Sequence, residues 1–303
     1  MNAICFDSLR KSYGKTAALR GVRGEVARGE LFGIIGPDGA GKTTLFRILA
    51  TLITADGGTA TVDGADVTRD YRLVRTRIGY MPGHFSLYPD LTVEENLMFF
   101  ASVFGTTLRD NYHLIADIYR PIEPFRHRRA GKLSGGMKQK LALSCALIHK
   151  PSVLLLDEPT TGVDPVSRRE FWAMLDRLRQ QGITILVSTP YMDEATRCDR
   201  IALMRDGCFL TVDTPQGVTG RFRQTLWAVS GERMSKLLAD LGQCPGVQSC
   251  FAFGSTHHIT VDTGVLTLDS LRRRLTGLGH AHVEIRPVEA SVEDCFMELT
   301  NGE

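Results

Sequence analysis

Three short stretches of this chain combine residue types that act on phosphate groups. Residues 36–43 read G-P-D-G-A-G-K-T, the G-x-x-x-x-G-K-[ST] spacing of a phosphate loop. Gly36, Gly39 and Gly41 leave the backbone without Cβ atoms, so a loop that also contains Pro37, Asp38 and Ala40 can turn its amides inward around phosphate oxygens. A helix expected to start near Lys42 adds the positive end of its dipole. The Lys42 ammonium then reaches the β- and γ-phosphates and the Thr43 hydroxyl ligates Mg2+, with Thr44 next in the nucleotide-binding set. The second stretch, V-L-L-L-D-E at 153–158, puts a carboxylate at the end of a buried strand. There Asp157 can hold the magnesium ion through water, and Glu158 can orient or deprotonate an attacking water. Two adjacent acids at a strand end are equally the make-up of a solvated loop. The third, L-S-G-G-M-K-Q-K at 133–140, offers a second anion site, in which Ser134 and the amides of Gly135 and Gly136 sit at a helix N-terminus and suit a terminal phosphate. An ordinary serine-capped helix explains the serine but not the two glycines.

These residues need elements to hold them. An apolar run at 31–35 enters the loop directly, and Leu45, Phe46, Ile48 and Leu49 recur after it at helical spacing, giving strand, loop and helix. Further buried-strand runs at 153–156, 183–187 (ending in Ser188-Thr189) and 200–204 alternate with helical stretches at 168–179 and 191–198. That alternation predicts a mainly parallel sheet covered by helices. Residues 85–150 follow a helical period and read as an insertion. After 219–220 the composition changes to strand 225–230, helix 232–241, strands 246–253 and 257–262, helix 266–278, strand 282–288 and a terminal helix 291–299. The order β-α-β-β-α-β is that of a ferredoxin-like unit.

Taken in order, the phosphate loop, the L-S-G-G stretch and the acidic strand end resemble the motifs of the ABC-type ATPases, over residues 1 to about 220. The resemblance implies an α/β fold, a P-loop NTPase (ABC ATPase) domain at 1–220 with a helical subdomain at about 85–150, to which the element order read above adds a small α+β ferredoxin-like C-terminal domain at 221–303. It implies ATP and Mg2+ as ligands, and it implies that Ser134, Gly135 and Gly136 complete the nucleotide site of a partner. ATP is then sandwiched between two ATPase domains, in a homodimer or a heterodimer. Tyr13 in K-S-Y-G-K resembles the aromatic that stacks on adenine, although a tyrosine before a glycine turn is as often packing. G-V-D-P at 162–165 resembles the D-loop, and 87–97 resembles the segment leading from the Q-loop to the helical subdomain. The tail A-S-V-E-D-C-F-M-E-L-T at 290–300 resembles the end of ATPase subunits of drug and antibiotic exporters whose permease is a separate chain; an amphipathic helix docking on its own domain would look much the same.

Two positions depart from the family pattern. The Q-loop glutamine would fall at Gly83 in Y-M-P-G-H-F-S, and the switch histidine at Pro190 in S-T-P-Y-M-D-E-A. Proline has neither a side-chain donor nor a backbone N–H, and glycine has no side-chain ligand. Each lost contact to a developing phosphoryl charge costs on the order of 2 to 4 kcal/mol of barrier, roughly a hundredfold or more in rate. Neighbouring His84 is a candidate substitute for the glutamine, although a histidine in an exposed loop is usually only solvated. Asp38 replaces the more usual asparagine, and Met137 a glutamine; neither removes the backbone cradle.

Composition fits this reading and excludes others. The 303 residues, 43% hydrophobic and 23% charged, are those of a globular protein and exclude disorder, collagen and coiled coil. A formal charge of +2 gives no global argument for nucleic acid as a partner. The longest apolar stretches fall far short of the roughly 18 residues a membrane-spanning helix needs, and the opening M-N-A-I-C-F-D lacks a secretory pattern. Seven cysteines without a C-x-x-C pair read as scattered thiols of a reducing compartment. The expected function is an ATP-binding and hydrolysing subunit that dimerises around Mg-ATP and drives separate membrane permease chains, most simply an exporter, from the cytoplasmic face of the cell membrane. Its rival is a regulatory, non-hydrolysing ATP-binding subunit paired with a second ATPase, which follows from Gly83 and Pro190. A translation factor would usually carry two ATPase domains and a basic linker, and a repair or cohesin-type protein a long coiled-coil insertion.

Overall fold

The strands expected at 31–35, 153–156 and 183–187 form at Leu31–Ile35, Val153–Asp157 and Thr184–Thr189 and are buried at every residue, because helices and a second sheet cover both of their faces. The computed structural model describes residues 2–301, which divide into two compact units between Pro215 and Gln216. In the first unit β1 (Asn2–Tyr13) and β2 (Thr16–Ala27) form a long antiparallel hairpin, and β3 (Leu31–Ile35) runs through the glycine-rich loop into α1 (Lys42–Leu49). Next come β4 (Gly57–Val62), β5 (Ala65–Asp66), α2 (Tyr71–Arg77), β6 (Ile78–Met81), and the helices α3 (Val93–Val103), α4 (Leu108–Tyr119) and α5 (Gly135–Leu147). The chain then returns through β7 (Val153–Asp157), α6 (Pro165–Gln180), β8 (Thr184–Thr189), β9 (Arg200–Arg205) and β10 (Cys208–Asp213).

Six strands in the order β10-β9-β3-β8-β7-β6 make the central sheet, parallel except for the β9–β10 hairpin at its edge. A second, antiparallel sheet in the order β2-β1-β4-β5, not expected from the sequence, contributes Ile4, Phe6, Leu9 and Val62 to the same core as Leu45 and Phe46 of α1 and Ile34, Leu155 and Leu186 of the central sheet. Helix α1, which carries the lysine and threonine of the phosphate loop, is therefore packed into the main hydrophobic core. The helical insertion is fixed by its caps: Thr92 and Glu95 form a reciprocal capping box on α3, Thr107 caps α4, and Ser134 caps α5.

Two expectations are corrected. The stretch 191–198 is a 3-10 segment (Met192–Arg197), not an α-helix; following a proline, it closes tight three-residue bonds such as Glu194 N–H to Tyr191 O. The unit boundary falls near 215 instead of 220, because Val218, on the short helix α7 (Pro215–Thr219), is buried and accepts a bond from the Cys295 thiol far along the second unit.

The second unit continues with β11 (Thr225–Ser230), α8 (Met234–Gly242), β12 (Val247–Phe253), β13 (Thr256–Val261), α9 (Leu268–Gly277), β14 (Glu284–Pro287) and α10 (Val292–Asn301). Its four strands lie in the order β12-β13-β11-β14, with every neighbouring pair antiparallel. One sheet face packs Trp227, Val229, Ile259 and Val261 against Leu237 and Leu241 of α8 and Leu271 and Leu275 of α9. Among the described residues no helix is long and apolar enough to cross a membrane.

Candidate active site

The phosphate loop cannot tolerate side chains where it turns. A Cβ on Gly36 would stand 2.1 Å from Met204 O, and one on Gly41 would stand 2.4 Å from Ala18 O. Gly41 also holds φ +109° as the residue that opens α1, a conformation that favours glycine. Pro37, Asp38 and Gly39 form the exposed crest of the loop, while Gly36 and Ala40 are buried at its base.

Four of the expected residues converge at the carboxyl ends of β3 and β7. Lys42, only 3% exposed, donates to Gly36 O at 2.8 Å and Pro37 O at 3.0 Å, and its Nζ lies 3.1 Å from Glu158 Oε1. Asp157 is 1% exposed and accepts from Ser188 Oγ at 2.7 Å. Burial pushes its carboxyl above the usual carboxylate range, partly opposed by hydrogen bonds from Ser188 and from the Thr43 hydroxyl. Thr43 and Asp157 thus face one another with oxygen ligands of the kind a hard cation takes. Glu158 sits at φ +49°, a left-handed backbone unusual for glutamate, and is held there by its N–H, which bonds Ser188 O at 3.1 Å and Ser188 Oγ at 3.0 Å. The glycine cradle, the buried ammonium and the Thr43–Asp157 pair fit a magnesium nucleotide.

The remaining candidates lie elsewhere. Tyr13 ends β1, about half exposed, with Lys11 Nζ 5.9 Å from its ring centroid. Ser134 Oγ accepts from Met137 N–H at 3.4 Å as the cap of α5. Gly136 is packed so closely on α6 that a Cβ there would lie 2.5 Å from Ser167 Oγ, and one on Gly135 would lie 3.6 Å from Gly162 O in the D-loop-like segment. Gly83 is beside the acids: its Cβ would stand 3.2 Å from Asp157 O and 3.7 Å from Glu158 Cβ. His84 is exposed and shares a cavity of about 160 Å³ with Glu158 and Lys138.

Sequence reasoning missed two groups. Ser188, fully buried, ties both acids to β8; the signal was that β7 and β8 both end in polar residues, and the pairing sets Asp157 beside Ser188. Around Pro190, buried Glu194 accepts from the hydroxyls of Thr160 and Thr189, with Arg168 Nε at 3.6 Å, and the Arg168 guanidinium lies 4.1 Å over the Tyr191 ring. This network joins the segment after Glu158 to the one after β8.

Comparison with known proteins matches this geometry. The sequence model of the ABC transporter family matches residues 19–161. The chain is 40% identical over 279 residues to the probable multidrug ABC transporter ATP-binding protein YbhF of Escherichia coli, which covers 90% of this chain but only 47% of YbhF, so the chain spans about half the length of that relative. It is 34% identical over 308 residues to the Nod factor export ATP-binding protein I of Burkholderia orbicola, covering 99% of this chain and 97% of that protein. Among solved structures, a dimeric ATP-binding cassette in a post-hydrolysis state, bound to ADP and Pi, superposes with a TM-score of 0.64 at 26% identity, over 70% of this chain and 98% of that one. With a loop, an acidic strand end and a serine-capped glycine helix set on this fold, and with one relative matched along 97% of its length, the chain belongs to the ATP-binding proteins of the ABC transporter family.

Proposed function

We propose that this chain is an ATP-binding subunit that dimerises around Mg-ATP and drives a separate export permease from the cytoplasmic face of the membrane. The observation that carries the reading is the convergence of Lys42, Thr43, Asp157 and Glu158 at one end of the central sheet. Lys42 binds the β- and γ-phosphates over the amides of residues 36–44, Thr43 and Asp157 hold the metal, and Glu158 orients or deprotonates the attacking water. Held by Thr43 and Asp157, Mg2+ would supply positive charge against the charge that develops on the phosphates. Tyr13 stacks on the adenine, and Ser134, Gly135 and Gly136 grip the terminal phosphate of the partner's nucleotide. Export is the role named for the Nod factor relative, and YbhF is named for a multidrug transporter. We assign the permease chains to an apolar groove of about 470 Å³ between the central sheet and the helical insertion, where Leu52, Val103 and Phe104 stay exposed at the rim. The second unit we read as a ferredoxin-like accessory domain, on its β-α-β-β-α-β succession and strand order.

Gly83 and Pro190 favour a refinement. Lacking two side-chain contacts to the γ-phosphate, this chain's own site binds ATP and turns it over slowly, while its L-S-G-G segment completes the faster site of a second, different ATPase. The test compares two variants in the assembled complex. Ser134→Arg is expected to abolish ATP hydrolysis and Glu158→Gln to change it less than about threefold. Brisk hydrolysis by the purified chain alone, lost in Glu158→Gln, would falsify the slow-site reading.

A further inference from the structure

The four-stranded sheet of the second unit has two faces of opposite character. Because successive strand residues alternate sides, Trp227, Val229, Ile259 and Val261 meet helices α8 and α9, and Leu226, His258 and Thr260 are left on the other side. Only α10 is fastened there. Ser291 and Asp294 bond reciprocally at its start, and the other Asp294 oxygen lies 2.8 Å from His258 Nδ1. The Phe253 ring stacks on His258 at 4.1 Å between centroids. Between α10 and strands β12 and β13 this arrangement encloses a cavity of about 280 Å³ that the nucleotide chemistry does not use.

The lining of the cavity defines what it accepts. It contains two carboxylates, Asp294 and Glu298, and, among the described residues, no lysine or arginine. Even with His258 protonated its formal charge is negative, so an anion is repelled. Glu298 accepts one bond from Gln224 at 3.1 Å, His258 Nδ1 faces Asp294, and the amides and hydroxyls of Gln224, Gln248, Ser249 and Thr260 can accept as well as donate. Phe222, Phe251 and Leu226 supply the apolar wall, and two of these are aromatic rings, a side-chain type whose π-system can attract a cation. An ammonium offers three donors and no acceptor, the complement of this set.

We propose that this cavity binds a small organic ammonium ion with an aromatic or apolar body, making the second unit a ligand-sensing module separate from the ATP site. The probe is 2-phenylethylammonium, titrated calorimetrically into the full chain beside 2-phenylethanol and 3-phenylpropionate, which share its body without the positive charge. Saturable binding of the ammonium is expected, at least tenfold tighter than either control and at least fivefold weaker in both Glu298→Gln and Phe251→Ala. Glu298 is half-buried at the cavity edge, and Phe251→Ala, whose side chain is also only partly buried, provides an independent variant should the first disturb α10. The proposal is overturned by absence of saturable binding, by equal binding of the carboxylate, or by unchanged affinity in both folded variants.

Discussion

The phosphate-loop side of the candidate active site and the two loop positions facing it are built in opposite ways. Lys42, Thr43, Asp157 and Glu158 stand where α1 and β7 meet the core, and their side chains are fixed by Ser188, by loop carbonyls and by one another. Gly83 is an exposed loop residue, and Pro190 stands outside the sheet just after β8, where Thr189 and Glu194 close the local hydrogen bonds without it. The first group is tied into buried hydrogen bonds and ion pairs, whereas no side chain at 83 or 190 takes part in the hydrogen bonds that close these loops.

The largest test of this contrast restores what the loops lack. Gly83→Gln together with Pro190→His is expected to raise Mg-ATP turnover about a hundredfold or more, since each returned contact acts on developing charge. The glutamine must ease a 3.2 Å approach to Asp157 O, a shift of a few tenths of an ångström. Steady-state phosphate release that stays at the level of the unaltered chain would break the contrast at its functional end.

A smaller effect is expected on the buried side. Ser188→Ala removes the donor to Asp157 and one of the two acceptors of Glu158 N–H, the Ser188 carbonyl remaining, at about 1–3 kcal/mol of stability. Thermal denaturation should shift down by several degrees, and the Mg2+ dependence of nucleotide binding should move to higher concentration. If both stay put, the acids do not depend on β8 and the two sides are less different than they look.

The smallest is a pH effect. Asp157 is held above the usual carboxylate range, chiefly by burial, so the folded state binds its proton more tightly than the unfolded state does. The resulting penalty is present above the raised folded value and absent below the unfolded one. Asp157→Asn should therefore stabilise the ligand-free chain at neutral pH, with the gain shrinking as pH falls into the carboxylate range, while nucleotide binding loses its response to Mg2+. A gain that grows on acidification reverses the sign and excludes this origin.

Much of this was legible beforehand, for physical reasons that also mark where reading stops. Strands β3, β7, β8 and β9 are covered on both faces and so appear as unbroken apolar runs, and the phosphate loop declares itself by glycines that only a tight turn requires. Strands β1 and β2 were not legible. Register shifts at Asn2/Ile4, Phe6/Leu9, Leu9/Arg10 and Lys11/Ser12 interrupt the alternation by which a half-buried strand is recognised. The role of Ser188 was hidden for another reason: it depends on a pairing across 31 residues that no local pattern encodes. The left-handed turn at Glu158 likewise comes from the contacts of β8, since glutamate has no preference for it.

The ammonium of Lys42 donates to Gly36 O and Pro37 O and lies 3.1 Å from the carboxylate of Glu158. Of these three neighbours only the carboxylate is a side-chain group and negatively charged. On the proposed reading, a phosphate oxygen entering the loop competes with Glu158 for the Lys42 ammonium, so the grip of the loop on its anion and the freedom of that carboxylate are set against one another.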